Sequence, residues 1–193
     1  MKSALLVVDP QNIYTDSESD LFCADSAATI KRINLLLEDA KTRKELVVLI
    51  RHVHKRDGSD LGRLFDFTGE AEEDFNFKEG SEEVEYDGRL LRPKSAVEVT
   101  KNRYSAFAGT PLAKTLQKYK VDKVIICGFM TNFCCESTAR EALDRDYYVD
   151  FVVDATGTPG TDKYSETEIR EIVTELLSAG FANVYSTNDY LKR

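Results

Sequence analysis

Three widely separated side chains carry the chemistry that this sequence suggests: a thiol, a carboxylate and an ammonium. Cys134 follows an apolar run, Gly128 and a short turn, and opens a segment with helical patterning. Unpaired amides at a helix N-terminus favour a thiolate, and they can hold the oxyanion formed when it attacks a carbonyl. Asp9 ends another apolar run, just before Pro10. A carboxylate close to a thiol can take its proton and later deliver it to a leaving amine. Lys101 follows a third run and begins Lys101-Asn102-Arg103-Tyr104-Ser105-Ala106-Phe107. An ammonium between the other two keeps Asp9 ionised and stabilises the thiolate. Each residue alone also has a plainer reading. A thiol is often a small buried hydrophobe, Asp before Pro favours a turn, and most lysines are solvated. Only a shared location unites them.

The elements that would supply that location can be read from periodicity. Continuous apolar runs at 4–8 and 46–50 have the pattern of buried parallel strands, and further strands are predicted at 97–100, 124–127, 148–153 and 184–186. Helical stripes are predicted over 26–43, 110–119, 134–144 and 166–178, with Pro111 in the first turn of the second. Alternating strands and helices imply right-handed crossovers. The expected fold is therefore α/β, a three-layer sandwich with a central, mostly parallel sheet of about six strands and helices on both faces. Ligands in such sheets bind beyond the carboxyl ends of the strands. That rule selects Asp9, the Lys101 region and the stretch from Gly128 to Cys134. The polar excursion 55–86, with acidic clusters at 70–74 and 82–85, is expected to overhang the same end. No repeat or linker divides the chain, so residues 1–193 are read as one domain.

A net charge of -8 argues against nucleic acid or an anionic membrane as partner, since both reward a basic surface. The run at 4–8 is too short to span a bilayer and lacks the form of a signal peptide, so a cytoplasmic location is expected. Cys23, Cys127, Cys134 and Cys135 do not resemble a disulfide framework, and the vicinal pair lacks the two-residue spacing of redox motifs. Reduced thiols are the simpler reading.

With these residues in view, the sequence resembles the isochorismatase-like cysteine hydrolases. The resemblance rests on Asp9-Pro10-Gln11-Asn12, on Lys101 followed by Tyr104-Ser105-Ala106-Phe107 and Thr110-Pro111-Leu112, and on Gly128-Phe129-Met130-Thr131-Asn132-Phe133-Cys134. Ser137-Thr138-Ala139-Arg140-Glu141-Ala142 and Asp154-Ala155 extend it over nearly the whole chain. It implies an Asp9–Lys101–Cys134 triad, with Cys134 chosen over Cys135 because the family's nucleophile stands six residues after the glycine. It also implies a non-proline cis peptide at Phe129–Met130, aiming the Met130 and Cys134 amides into an oxyanion hole. Gln11, Phe107 and Phe129 are expected to contact the substrate. The implied reaction is acyl transfer from a small amide to Cys134, followed by hydrolysis of the thioester. Cleavage of a vinyl ether, as in isochorismatase itself, and a relative that binds a small molecule without chemistry remain alternatives. Arg51, Arg56 and Arg103 would be the cations available to a carboxylated substrate.

Nicotinamidases of this family share an Asp-x-His motif after the second strand and a further histidine. Here Arg51 or His52 takes the aspartate's place, and His52 and His54 are the only histidines. No metal and no cofactor are expected, although two histidines two apart on an extended segment share a face. Members of the fold commonly form dimers or tetramers, so a homodimer or homotetramer is expected, with the acidic excursion able to shape a neighbour's pocket.

Overall fold

The computed structural model of the protein describes residues 1–66, 68–69 and 74–193. Six strands form one sheet: β1 (Ser3–Val8), β2 (Leu46–His52), β3 (Val97–Lys101), β4 (Lys123–Phe129), β5 (Tyr148–Gly157) and β6 (Asn183–Tyr185). Their spatial order is β3-β2-β1-β4-β5-β6, and every ladder between them is parallel. The expected α/β sandwich is thus present, with a sheet that is wholly rather than mostly parallel. Because the order reverses between β1 and β4, the crevice beyond their carboxyl ends is the topological switch point where ligands bind in open sheets.

Helices cover both faces because consecutive strand residues point to opposite sides. Leu5, Val7, Val47, Leu49, Ile125 and Cys127 face α2 (Ser26–Arg43), which buries Ile30, Ile33, Leu36, Leu37 and Ala40 against them. Those positions follow the i, i+3, i+4 rhythm of one helical face. Each leucine or isoleucine so buried contributes about 1.5–3 kcal/mol. The short helices α1 (Asn12–Thr15) and α6 (Thr187–Leu191) add Tyr14 and Tyr190 to this layer. On the other face Leu6, Val8, Val48, Ile50, Val99 and Ile126 meet α3 (Leu112–Lys118), α4 (Glu136–Asp144) and α5 (Glu166–Ser178). Ser165 caps α5, and Glu168 reaches back to the Ser165 backbone, a reciprocal capping box.

Two local features depart from the sequence reading. Cys134 does not begin a regular α-helix: it lies in a wide π-helical turn, Thr131–Cys135, that feeds α4. The last strand residue of β5 is Gly157 rather than 153, because a bulge opposite Ile126 and Gly128 lets the strand continue past Asp154. The peptide bond between Phe129 and Met130 is cis.

The excursion after β2 folds back over the carboxyl end of the sheet. His54 N donates to Phe77 O, Glu79 N to His54 O, Asn12 N to Glu85 O and Asp87 N to Pro10 O. Glu82–Val84 form a single 3-10 turn within it. Of the two acidic clusters, residues 70–73 lie outside the described residues. No helix among the described residues is long and apolar enough to cross a membrane.

Candidate active site

The ends of four adjacent strands bring the chemistry together. Asp9 directly follows β1; its N–H donates to Ile50 O on β2, and its backbone holds φ at 47°, a conformation uncommon for a residue with a side chain. Lys101 ends β3 on the same face as Val99, because the period of a strand is two, and that face turns inward. His52 ends β2 and is the register partner of Lys101. Cys134 arrives from the turn after β4.

The Lys101 ammonium is the hub of this arrangement. Its Nζ lies 2.7 Å from Asp9 Oδ2 and 3.2 Å from Cys134 Sγ, and it donates to Arg103 O at 3.0 Å. Three contacts match the three N–H donors of an ammonium. All three triad residues are buried, with Asp9 0%, Lys101 2% and Cys134 2% exposed. The Asp9–Lys101 contact is a close ion pair, and neither Asp9 oxygen receives a hydrogen bond of good geometry among the described residues. The carboxylate therefore keeps lone pairs free for a proton.

Burial decides the protonation states. It pushes the Asp9 carboxyl up from its ordinary value, only partly offset by the charge and close approach of Lys101 and by the neighbouring Cys134. It pushes the Cys134 thiol up to about 12, with Lys101 pulling the other way. Burial also works against the Lys101 charge, but Asp9 and Cys134 together outweigh it and leave the lysine raised. Burial thus opposes the thiolate that the helix start and Lys101 favour, because the apolar surroundings cost the charged sulfur more than one ammonium returns.

Threonines hold the nucleophile turn in place. Thr138 Oγ1 donates to Cys134 O at 2.6 Å and accepts from Ala106 N at 3.0 Å, tying α4 to the segment that follows Lys101. Thr131 Oγ1 donates to Thr156 Oγ1 at 2.8 Å, and Thr158 Oγ1 donates to Asn132 Oδ1 at 2.7 Å, which pins the turn to β5. At the surface, Tyr104 and Phe133 place their rings 5.4 Å apart, each more than a third exposed. Adjacency in sequence to Lys101 and Cys134 is the signal that would have marked them as flanking the site.

The residues expected to contact substrate are otherwise engaged. Gln11 Nε2 donates to His52 O and Val84 O, and its Oε1 accepts from His52 N, so its amide is spent on backbone. Phe129 is fully buried and stacks on Tyr14 at 5.4 Å. Phe107 is buried against Tyr147, with Arg145 over its face. In this structure the two phenylalanines pack in the core and Gln11 ties backbone segments together. The available arginines are likewise committed: Arg103 donates to Asp60 O, Arg56 to Glu79 O, and Arg51 lies 3.7 Å from Glu85.

His52 and His54 are both buried, and their Nε2 atoms face each other at 2.9 Å. Among the described residues one trio of metal-ligand types converges, Asp9, His52 and Cys134, with donor atoms within 4.8 Å of one another. A zinc ion does not fit this trio. The Lys101 ammonium already lies against two of its members, and a divalent cation beside it would meet strong repulsion. The third member turns one ring nitrogen to His54.

Known proteins share this architecture. An isochorismatase domain model matches residues 3–189. Nicotinamidase 3 of Arabidopsis thaliana is 33% identical over 181 residues, covering 93% of this chain and 82% of its own. A probable inactive nicotinamidase of the same plant is 28% identical over 156 residues, covering 80% of each chain. Among solved structures, a cysteine hydrolase from Pseudomonas syringae pv. phaseolicola superposes with a TM-score of 0.90 at 28% identity, covering 99% of this chain and 91% of that one. With the domain match running almost from end to end, this chain belongs to the isochorismatase family.

Proposed function

We propose that this chain is a cysteine-dependent hydrolase of a small molecule, cleaving a C–N bond of an amide through a thioester on Cys134. The observation that carries this reading is the Lys101 ammonium within 2.7 Å of Asp9 and 3.2 Å of Cys134 in a site closed to solvent. Asp9, raised in pKa but paired with Lys101, is the base that takes the thiol proton as Sγ attacks the carbonyl carbon. The Met130 and Cys134 amides are the donors for the tetrahedral oxyanion. The amine departs with the proton from Asp9. Water then attacks the thioester carbon, the C–S bond breaks, and Asp9 receives the water's proton and returns it to the sulfur.

Several observations favour an amide over isochorismate. Arg103 is engaged by the Asp60 and Asn102 carbonyls, and Arg51 and Arg56 make contacts with Glu85 and Glu79 O, so each of these arginines has a partner within the chain. The name of the 33% identical relative points to an amide as well. A dimer or tetramer is part of the same reading, supported by Ile172 and Leu176 standing exposed one turn apart on α5. Incubation with primary amides, ureido acids and isochorismate, scored for ammonia or pyruvate, tests the assignment. Ammonia release lost in Cys134→Ala supports it; pyruvate release alone, or no turnover across the panel, overturns it.

A further inference from the structure

His52 is a buried titratable residue at this site that the triad chemistry leaves unused. It is 1% exposed, a ring nitrogen stands within 4.8 Å of both an Asp9 oxygen and Cys134 Sγ, and its Nδ1 has no hydrogen-bond partner. Buried polar atoms without partners are rare, and a missing ligand atom is one of the few reasons for one.

The proton pattern of the ring follows from what lies behind it. Asp60 Oδ1 is 3.4 Å from His54 Nδ1, an electrostatic contact longer than a hydrogen bond. Despite partial burial, hydrogen bonds from Asn102 and Lys55 hold Asp60 below its ordinary range, so it faces His54 as an anion. That charge favours a proton on His54 Nδ1. A neutral His54 then has its lone pair at Nε2, 2.9 Å from His52 Nε2, which must supply the proton between them. The His52 proton is thereby assigned to Nε2, leaving a lone pair at Nδ1. Burial, with Lys101 and His54 alongside, keeps His52 neutral.

We propose that His52 is a substrate-binding residue whose Nδ1 accepts a hydrogen bond from the N–H of the scissile amide, with Asp60 acting through His54 to fix it as an acceptor. The proposal rests on the amide-hydrolase reading and narrows it. A primary amide carries two N–H donors on its leaving nitrogen, and the site offers two acceptors, Asp9 and His52. Lys101 has donors only and cannot take this part. An ester of the same acid passes through the same thioester but has no N–H to give, so it forfeits the contact with His52.

The test compares nicotinamide with methyl nicotinate as probes, in the wild type and in His52→Phe and Asp60→Asn, together with long-range 1H–15N correlation spectra of the histidine rings. In the wild type the spectra should show the proton on Nε2 of His52 and on Nδ1 of His54. Asp60→Asn, able to donate to His54, should reverse both. His52→Phe should lower kcat/KM for nicotinamide by about 10–100-fold, the scale of one lost buried hydrogen bond, and for the ester far less. A wild-type proton on His52 Nδ1, or equal losses on amide and ester, overturns the proposal alone. A wild-type protein inert toward both probes and across the wider amide panel overturns the hydrolase reading and the proposal with it. If His52→Phe does not fold, the tautomer reversal in Asp60→Asn and its matching selective loss on the amide decide the matter.

Discussion

The main chain of Gly128 lies against the carbonyl of Val8 with no space for a side chain: a Cβ on Gly128 would overlap Val8 O, and the glycine adopts φ +123°. The contact joins β1 to β4 where the strand order reverses. Asp9 is the next residue on one side, and the cis Phe129–Met130 bond follows on the other. Close approach of these two backbones is what lets the base and the nucleophile turn share one crevice.

Gly128→Ala should therefore damage both stability and catalysis. The added methyl meets rigid backbone, and the φ angle is unfavourable for alanine, so a loss of about 2–5 kcal/mol is expected. Urea unfolding measures it. A variant as stable as the wild type would show that the strands separate there at little cost.

Cys134→Ala should abolish turnover while leaving the fold intact, because the cavity left by one sulfur is small. Asp9→Asn should cost several powers of ten in kcat, with substrate still bound, since the amide side chain cannot accept the thiol proton. Near-full activity in either variant removes that residue from the mechanism. Lys101→Met should also weaken folding, by about 3–5 kcal/mol where Asp9 stays charged, because a buried carboxylate loses its partner.

Much of this arrangement was legible in the sequence. The apolar runs ending at Val8, Ile50 and Cys127 mark central strands, and the carboxyl-end rule selects Asp9, the Lys101 region after the 97–100 strand and the stretch from Gly128 to Cys134, while the triad itself comes from the family resemblance. What periodicity does not report is the direction of an individual side chain. Gln11 and Phe129 adjoin site residues in sequence but turn into the backbone network and the core. Phe107 likewise packs away from the role assigned to it. Burial, which opposes the thiolate that a helix start and Lys101 favour, is a property of the assembled layers and has no signature at a helix start. The His52–His54–Asp60 chain was invisible for a similar reason: Asp60 belongs to the excursion, whose contacts have no sequence period.

The raised thiol predicts how Cys134 reacts. With a pKa near 12 and 2% exposure, iodoacetamide should label it slowly at neutral pH and faster as pH rises. Mass mapping against pH checks this, and rapid, pH-independent labelling near neutrality would contradict a neutral thiol. The same shift has a stability consequence. An acid raised on folding from 9.0 to about 12 stabilises the native state fully below the lower value and loses that contribution as pH climbs to the upper one. Wild type should accordingly lose stability faster than Cys134→Ala as pH rises between those limits, which urea unfolding at stepped pH measures.

Metal independence is the last expectation, and it follows from the donor set. Lys101 already supplies the positive charge between Asp9 and Cys134, while His52 and His54 direct their Nε2 atoms at each other. Two imidazole nitrogens at 2.9 Å share a proton, and a tetrahedral zinc ion bonded to both at about 2.0–2.1 Å would have to spread them and rotate the rings. His52 also stacks on Phe77 at 4.4 Å, and such a rotation would break that stacking. Prolonged dialysis against a chelator should leave turnover within twofold of the untreated protein, and added zinc should not raise it. Inactivation by the chelator that zinc reverses would mean that the histidine pair opens around a metal, and it would replace the Asp60-directed hydrogen-bond chain with metal ligation.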